Sequence, residues 1–298
     1  MTLLLIANPA AGGKRGRNRI PEIEAALKNQ GVDCDILVTG YHRHAETLLR
    51  DVAIDRYDGI VSIGGDGTNY HVLNGLIKYH PDEPLPALGV IPVGSGNSFA
   101  MDLGIFSAWE GIKALVSGVT CPVDVLRFTQ GKEFFYSVNL MGAGFVTDVA
   151  QTASRLKKLG DMSYVFGVIH RALNLEFYRA DLYIDGKRYC EDQCLIEFCN
   201  SRYTGGKMLI APEARIDDGL MDVVMVSKLS RRNLLATFPK IFKGTHGSNP
   251  AVRILRAREV ILSTIPPKKL LPDGELFGTT PVKVTVLPGK VRYFCAEP

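Results

Sequence analysis

The chain has 298 residues, 46% hydrophobic and 22% charged, which supports one large or two ordinary domains and excludes a disordered chain. Its 35 Lys and Arg against 31 Asp and Glu leave a net charge of +4, too little to argue for nucleic acid but compatible with a nucleotide or an acidic membrane. The run Leu3–Ile6 is cut short by Asn8, Pro9 and glycines, and no apolar stretch nears the roughly 20 residues of a bilayer span, so a cytoplasmic protein is expected.

In chain order, Leu3 to Ala7 reads as a short apolar strand and Ile20 to Asn29 as a helix, from its apolar spacing. Cys34 to Val38 is a second strand, Ala45 to Ala53 a helix and Gly59 to Ile63 a buried strand. A helix continues over Val72 to Lys78, Leu88 to Val93 is another strand, and Phe99 to Leu103 and Trp109 to Val116 are helical. Such alternation implies a parallel sheet covered by helices. The texture changes near Cys121 and Pro122. Short strands follow at Val123–Phe128, Phe134–Leu140, Ala180–Ile184, Cys194–Phe198, Asp222–Val226, Val260–Ser263, Val282–Leu287 and Val291–Cys295. Asp-Gly turns at 185–186, 218–219 and 273–274 punctuate them, as in an antiparallel β domain. Gln151–Leu175 and Ser230–Phe242 read as helices inside it. Cys190, Cys194 and Cys199 cluster on a strand-like segment with no histidine at ligand spacing, so the six cysteines are expected to be buried free thiols.

Three loops follow predicted parallel strands. They are Asn8-Pro9-Ala10-Ala11-Gly12-Gly13-Lys14, Gly64-Gly65-Asp66-Gly67-Thr68 and Gly94-Ser95-Gly96-Asn97-Ser98. Glycine lets a backbone approach a phosphate, and a following helix offers free N–H groups. Each loop alone also reads as an ordinary helix cap, and the first lacks P-loop spacing. Together, at the carboxyl ends of parallel strands, they point to a nucleotide site. Asp66 would repel a bare phosphate, so it suggests a metal ion or a ribose hydroxyl nearby. Two acidic turns, Ile216-Asp217-Asp218-Gly219-Leu220 and Pro272-Asp273-Gly274-Glu275, are either plain hairpin turns or carriers of a catalytic carboxylate.

These motifs, with Asn74-Gly75, Val123-Asp124-Val125 and the Asn139–Phe145 segment, resemble the diacylglycerol kinase catalytic-domain family, which includes bacterial lipid kinases and sphingosine and ceramide kinases. The Gly-Gly-Asp-Gly-Thr element alone is shared with NAD kinases and 6-phosphofructokinases. The resemblance implies an α/β nucleotide-binding domain over 1–120 with a mostly parallel sheet. It implies a C-terminal antiparallel β-sandwich domain for lipid over 121–298, whose last strand could return to the first domain. ATP would be held by Asn8, Pro9, Ala10, Ala11, Gly12, Thr39, Gly64, Gly65, Asp66, Gly67, Thr68, Ser95 and Asn97. Mg2+ would be held by the Asp218 carboxylate and the carbonyls of Arg215 and Leu220, with Asp124 and Asp66 joined to it through water. Asp273 would be the base toward a lipid hydroxyl with Glu275 beside it, the choice between them staying open.

The sequence departs from the family pattern at Tyr70 and His71, where Asn and Glu are usual, and at Ser98, where Asp is common. His71 reads as a surface or capping histidine rather than a ligand. Lys228, Arg231, Arg232, Lys240 and Lys243 interleave with Leu229, Leu234, Leu235, Phe238, Ile241 and Phe242, and Leu156–Phe177 mixes Lys157, Lys158 and Arg171 with Tyr164, Phe166 and His170. Both suit peripheral contact with an anionic membrane, or equally a surface helix packed on the β domain. The resulting expectation is an ATP-dependent lipid kinase acting on diacylglycerol or a related lipid, cytoplasmic and peripherally membrane-associated, without nucleic acid. A homodimer, a sphingosine- or ceramide-type acceptor, an NAD kinase-like enzyme and a non-catalytic nucleotide or lipid sensor stay open.

Overall fold

The computed structural model describes residues 1–155 and 162–297. The chain forms two compact units, Met1–Val123 with Gly289–Pro298, and Asp124–Pro288.

The first unit is α/β. Strands β1 (Thr2–Ala7), β2 (Asp33–Val38), β3 (Gly59–Gly64) and β4 (Ala87–Pro92) alternate with helices α1 (Ala11–Asn29), α2 (His44–Leu48), α3 (Asp66–Tyr79), α4 (Ser98–Asp102) and α5 (Ala108–Ser117). The sheet runs β4-β3-β1-β2, all parallel, and the returning chain end adds Tyr293 beside Leu88. Ala7 stands opposite Val38 and Ile63, and Gly64 opposite Pro92, so the four strands end at one level. Leu3, Leu5, Val61, Ile63 and Ile91 pack against Ile23 and Leu27 of α1 and Ile112 and Leu115 of α5. Each fully buried side chain of this size contributes about 1.5–3 kcal/mol. Helix α5 starts on a capping box, in which Ser107 Oγ accepts the Glu110 N–H at 3.2 Å and Glu110 Oε2 accepts the Phe106 N–H at 2.8 Å. Helix α1 begins at Ala11 rather than Ile20, so Ala11, Gly12 and Gly13 belong to its first turn; the two glycines have φ of 58° and 69°.

The second unit is antiparallel. Its strands are the later part of β5 (Thr120–Gln130), β6 (Glu133–Ser137), β7 (Leu140–Gly144), β8 (Tyr178–Ile184), β9 (Lys187–Cys199), β10 (Tyr203–Thr204), β11 (Met208–Leu209), β12 (Met221–Ser227), β13 (Val252–Ala257), β14 (Glu259–Ile265), β15 (Lys269–Pro272), β16 (Phe277–Thr279) and the first part of β17 (Val282–Phe294). The order is β16-β15-β7-β9-β8-β14-β17, with β12 joining β9 to β13 and β6 pairing β5. Its helices are α6 (Phe145–Arg155), α7 (Met162–Leu173) and α8 (Arg231–Thr237), the last continued by a 3-10 helix over Phe238–Lys243. The apolar run Phe134–Leu140 is not one strand. The chain turns at Val138 and Asn139 to start β7, because the Asn139 carbonyl is claimed by the N–H groups of Asn200 at 2.9 Å and Ser201 at 3.2 Å. The basic segment is likewise two pieces, since Pro239 cannot donate the hydrogen bond that would continue α8. All six cysteines are free; only Cys194 and Cys199 are fully buried, and both lie on β9 with Cys190. Among the described residues no helix is long and apolar enough to cross a membrane.

Candidate active site

In the first unit the glycine loops lie side by side, because their strands are neighbours in the order β4-β3-β1. Asn8 ties the first loop to the second: its N–H donates to the Ile63 carbonyl at 2.9 Å and its Nδ2 to Thr68 Oγ1 at 3.1 Å. Asn8 Oδ1 also accepts the Ala10 N–H at 3.0 Å, shaping the Asn8–Gly12 bend around Pro9. Thr39, at the end of β2, donates its N–H to the Ala7 carbonyl at 2.8 Å. The second and third loops touch through bare backbone. A Cβ on Gly94 would stand 2.7 Å from the Gly65 Cα, too close for any side chain. The Gly64 carbonyl accepts the N–H groups of Val93 at 2.9 Å and Gly94 at 3.1 Å.

Asp66 completes the lattice. Its carboxylate accepts the Ser98 N–H at 2.9 Å and the Phe99 N–H at 3.2 Å, so it holds the start of α4 from the neighbouring strand. Burial raises its pKa, opposed by those two hydrogen bonds. Asn97 sits at φ 54° with its Nδ2 on the Gly94 carbonyl at 2.8 Å, and its Oδ1 is buried without a partner. Asn8, Gly64, Gly65, Asp66, Thr68 and Asn97 are thus brought together, with Gly67 in the same turn, while Ser95 is exposed. His71 is not a surface residue. It is 7% exposed, its ring edge-on to Tyr70 at 5.2 Å and His42 at 5.4 Å, because α3 is buried on nearly every face from Thr68 to Ile77.

In the second unit Asp273 and Gly274 take φ of 45° and 82°, a pair of left-handed residues of the kind that tight hairpin turns require. The Glu275 N–H closes the bend onto the Pro272 carbonyl at 2.7 Å. The turn directs the Asp273 carboxylate inward. It is 7% exposed, Ser137 Oγ lies 2.9 Å from both of its oxygens, and the Leu140 N–H donates to Oδ1 at 3.1 Å. Glu275 remains half-buried. Asp124 anchors the other acidic turn: its Oδ2 accepts the Gly219 N–H at 2.6 Å and its own N–H donates to the Ile216 carbonyl at 2.7 Å.

Sequence reasoning missed the residues between these turns. Ser137 holds Asp273 and accepts the Asn139 N–H at 3.1 Å; Asn139 Oδ1 accepts from Ser201; Asn200 Nδ2 donates to the carbonyls of Asp124 at 2.9 Å and Val138 at 2.8 Å. The Asn139–Phe145 segment carried a hint of this chain. Ser137, Asn200 and Ser201 carried none, being far from Asp273 in sequence.

The donor set at Asp218 does not fit magnesium as arranged. Asp218 Oδ1 accepts the Leu220 N–H at 3.0 Å, and Oδ2 is paired with the Arg256 guanidinium. The Arg215 side chain, whose backbone carbonyl was the expected ligand, pairs with Asp217 at 3.4 Å. A hard dication would have to displace the guanidinium from this carboxylate. Without nucleotide, the melting temperature is therefore expected to be the same in magnesium and in EDTA, whereas Arg256→Ala should make it rise with magnesium. A wild-type melting temperature that climbs with magnesium would return the ion to this turn.

The second unit also holds an apolar cavity of about 80 Å³ that is partly open to solvent. Phe145, Val146 and Val149 of α6, Val168 of α7, Leu234 of α8, and Phe238 and Ile241 of the following 3-10 turn form much of its wall. Of these, Val168, Leu234, Phe238 and Ile241 belong to the segments read as membrane-facing. Leu234, Phe238 and Ile241 face the cavity, while Arg231, Arg232, Lys240 and Lys243 are exposed with Leu235 and Phe242. In the other segment Phe166 is exposed and Arg171 Nε donates to Thr152 Oγ1 at 2.8 Å; Lys157, Lys158 and the side chain of Tyr164 lie outside the described residues.

Two titratable groups stand in the cavity wall. Glu197 is 1% exposed and burial pushes it from 4.5 up to about 8. His246 is 2% exposed and burial lowers it, although its Nε2 meets the Ile210 carbonyl at 3.0 Å. An acid raised on folding favours the native state below its unfolded pKa, and that contribution is lost as pH rises through the folded pKa. Glu197→Gln should therefore flatten the fall of stability between about pH 4.5 and about pH 8. The variant should exceed the wild type at about pH 8 by on the order of a few kcal/mol. Denaturant titrations at the two ends of that window check this; parallel pH profiles would contradict it.

Glycine loops on adjacent parallel strands, with an antiparallel unit bearing acidic turns, define a nucleotide-using phosphotransferase. Residues 2–128 match the diacylglycerol kinase catalytic domain, and residues 139–295 match the YegS C-terminal NAD kinase beta sandwich-like domain. The chain is 29% identical to a diacylglycerol kinase of Mycobacterium tuberculosis, over 96% of this chain and 93% of that protein. It is 30% identical to a protein of Stenotrophomonas maltophilia named as a YegS-like lipid kinase, over 94% and 93%. A solved Bacillus anthracis structure assigned as a diacylglycerol kinase superposes with a TM-score of 0.84 at 27% identity, covering 99% of this chain and 95% of that one. The chain belongs to the diacylglycerol kinase catalytic-domain family, whose members are kinases with an alcohol group as acceptor.

Proposed function

We propose that the protein transfers the γ-phosphate of ATP to a hydroxyl of diacylglycerol or a related lipid at a membrane surface. The observation that carries this reading is the apolar cavity in the second unit, since NAD and other polar acceptors have no use for such walls. The first unit would take the nucleotide. The three glycine loops would offer backbone N–H groups to its phosphates, and the orphaned Asn97 Oδ1 suits a donor such as a ribose hydroxyl. Phosphoryl transfer is mostly positioning, and the ties from Asn8 and Asp66 fix all three loops before the nucleotide arrives. In the second unit Asp273, oriented by Ser137 and Leu140, would accept the proton of the lipid hydroxyl as its oxygen attacks the γ-phosphorus and ADP departs. Exposed Arg231, Arg232, Lys240 and Lys243 would contribute about 1 kcal/mol each at an anionic leaflet.

ADP release should be followed with diacylglycerol, monoacylglycerol, sphingosine, ceramide, phosphatidylglycerol and NAD, each lipid in neutral and in anionic vesicles. Turnover with at least one lipid, faster on anionic vesicles and absent with NAD, is expected. Turnover with NAD alone would replace the reading with an NAD kinase.

A further inference from the structure

The cavity wall holds more polarity than a plain hydrocarbon chain needs. Glu197 lies on β9, in the run Cys194-Leu195-Ile196-Glu197-Phe198-Cys199, and its neighbours across the ladder are Gly142 on β7 and Val224 on β12. Gly142 makes the placement feasible. A Cβ there would come within 3.3 Å of the Glu197 Cγ and Oε1. Glu197 Oε2 is buried and has no hydrogen-bond partner. An orphaned buried polar atom costs about 1–3 kcal/mol, a cost that a leucine at this position would not carry.

His246 adds a second such atom. Its Nε2 faces the Ile210 carbonyl, which can only accept, so Nε2 bears the proton and Nδ1 is left with a lone pair. Nδ1 is buried and unpartnered. Because Glu197 is protonated at neutral pH, its carboxyl supplies an O–H donor. The cavity wall, which also carries Thr204 and Thr237, thus includes a donor and an acceptor, each nearly inaccessible to solvent and each unmatched by the protein. A hydroxyl, which both accepts and donates, can match either of them.

We infer that the cavity takes a lipid with a hydroxyl group within its chain, and that Glu197 and His246 are the residues that select it. The inference rests on the lipid-kinase reading for the class of ligand. Neither residue is assigned to the phosphoryl-transfer step; they are specificity determinants at the chain. A plain chain would bind while leaving both atoms unmatched, so the site discriminates against it by the penalty that a hydroxyl relieves.

The test compares dioleoylglycerol with diricinoleoylglycerol, which differ by a mid-chain hydroxyl. Binding is read by displacement of a fluorescent fatty-acid analogue, and turnover is measured separately. The wild type should bind the hydroxylated lipid at least roughly tenfold more tightly. Glu197→Leu should erase that preference, by weakening the hydroxylated lipid and strengthening the plain one. Glu197→Gln, which keeps a donor and an acceptor, should retain most of it. If Glu197→Leu does not fold, His246→Phe carries the same comparison. Equal wild-type affinities, or a variant that weakens both lipids alike, overturns the inference. A binding preference without phosphorylation of either lipid counts against the kinase reading and leaves this inference standing.

Discussion

Asp273→Asn is expected to lower kcat by roughly 10²–10⁴-fold while ATP affinity stays near wild type, the signature of a lost transition-state interaction. The substitution keeps the shape of the side chain. Its remaining oxygen can still accept the Leu140 N–H, and the Asp273–Gly274 turn is undisturbed, because asparagine tolerates the left-handed φ as well as aspartate does. What disappears is basicity. Glu275→Gln provides the contrast: Glu275 is half-buried, and the substitution leaves its backbone hydrogen bond to the Pro272 carbonyl intact. Near-normal turnover in Asp273→Asn with a crippled Glu275→Gln would transfer the role to Glu275. Near-normal turnover in both would reduce the turn to a hairpin.

Asp66→Ala is expected to weaken nucleotide binding by on the order of a hundredfold, because the third loop loses the two hydrogen bonds that hold it in place. The Ser98 and Phe99 N–H groups lose their acceptor, and the short helix α4 loses the anchor that holds its start against the second loop. Some stability should go as well, about 1–2 kcal/mol by analogy with the loss of a helix cap. Calorimetric titration with an ATP analogue, beside a melting curve, separates the two effects. A lowered melting temperature with unchanged nucleotide affinity would make Asp66 a structural cap with no part in the nucleotide site.

The parallel half was legible because each strand ends in a loop of unmistakable residue types, and because strand order alone brings Asn8, Gly64 and Gly94 side by side. The Asp273–Gly274 turn was legible for a similar reason: an Asp-Gly pair asks for one backbone conformation and the structure supplies it. Contacts across long sequence separations were not. Nothing near Asp273 announces Ser137, 136 residues away, and nothing near Asp218 announces Arg256, 38 residues away. Periodicity also misled where an element is buried all round. Strand β9 is buried on both faces toward its end, so its apolar run conceals a carboxylate whose presence there was the available signal. Helix α3 has little surface on which His71 could have stood. The basic segment read as one amphipathic helix because its spacing is helical, yet Pro239 divides it and its apolar side lines a cavity.

The most direct test of the account is to follow the γ-phosphate itself. ATP labelled with oxygen-18 on the γ-phosphate should be incubated with the protein and diacylglycerol in anionic vesicles, and the products read by mass spectrometry. A lipid phosphate that retains the label is expected, formed in step with ADP and lost in Asp273→Asn. Label appearing only in inorganic phosphate, or in a phosphorylated NAD added as competitor, would contradict it.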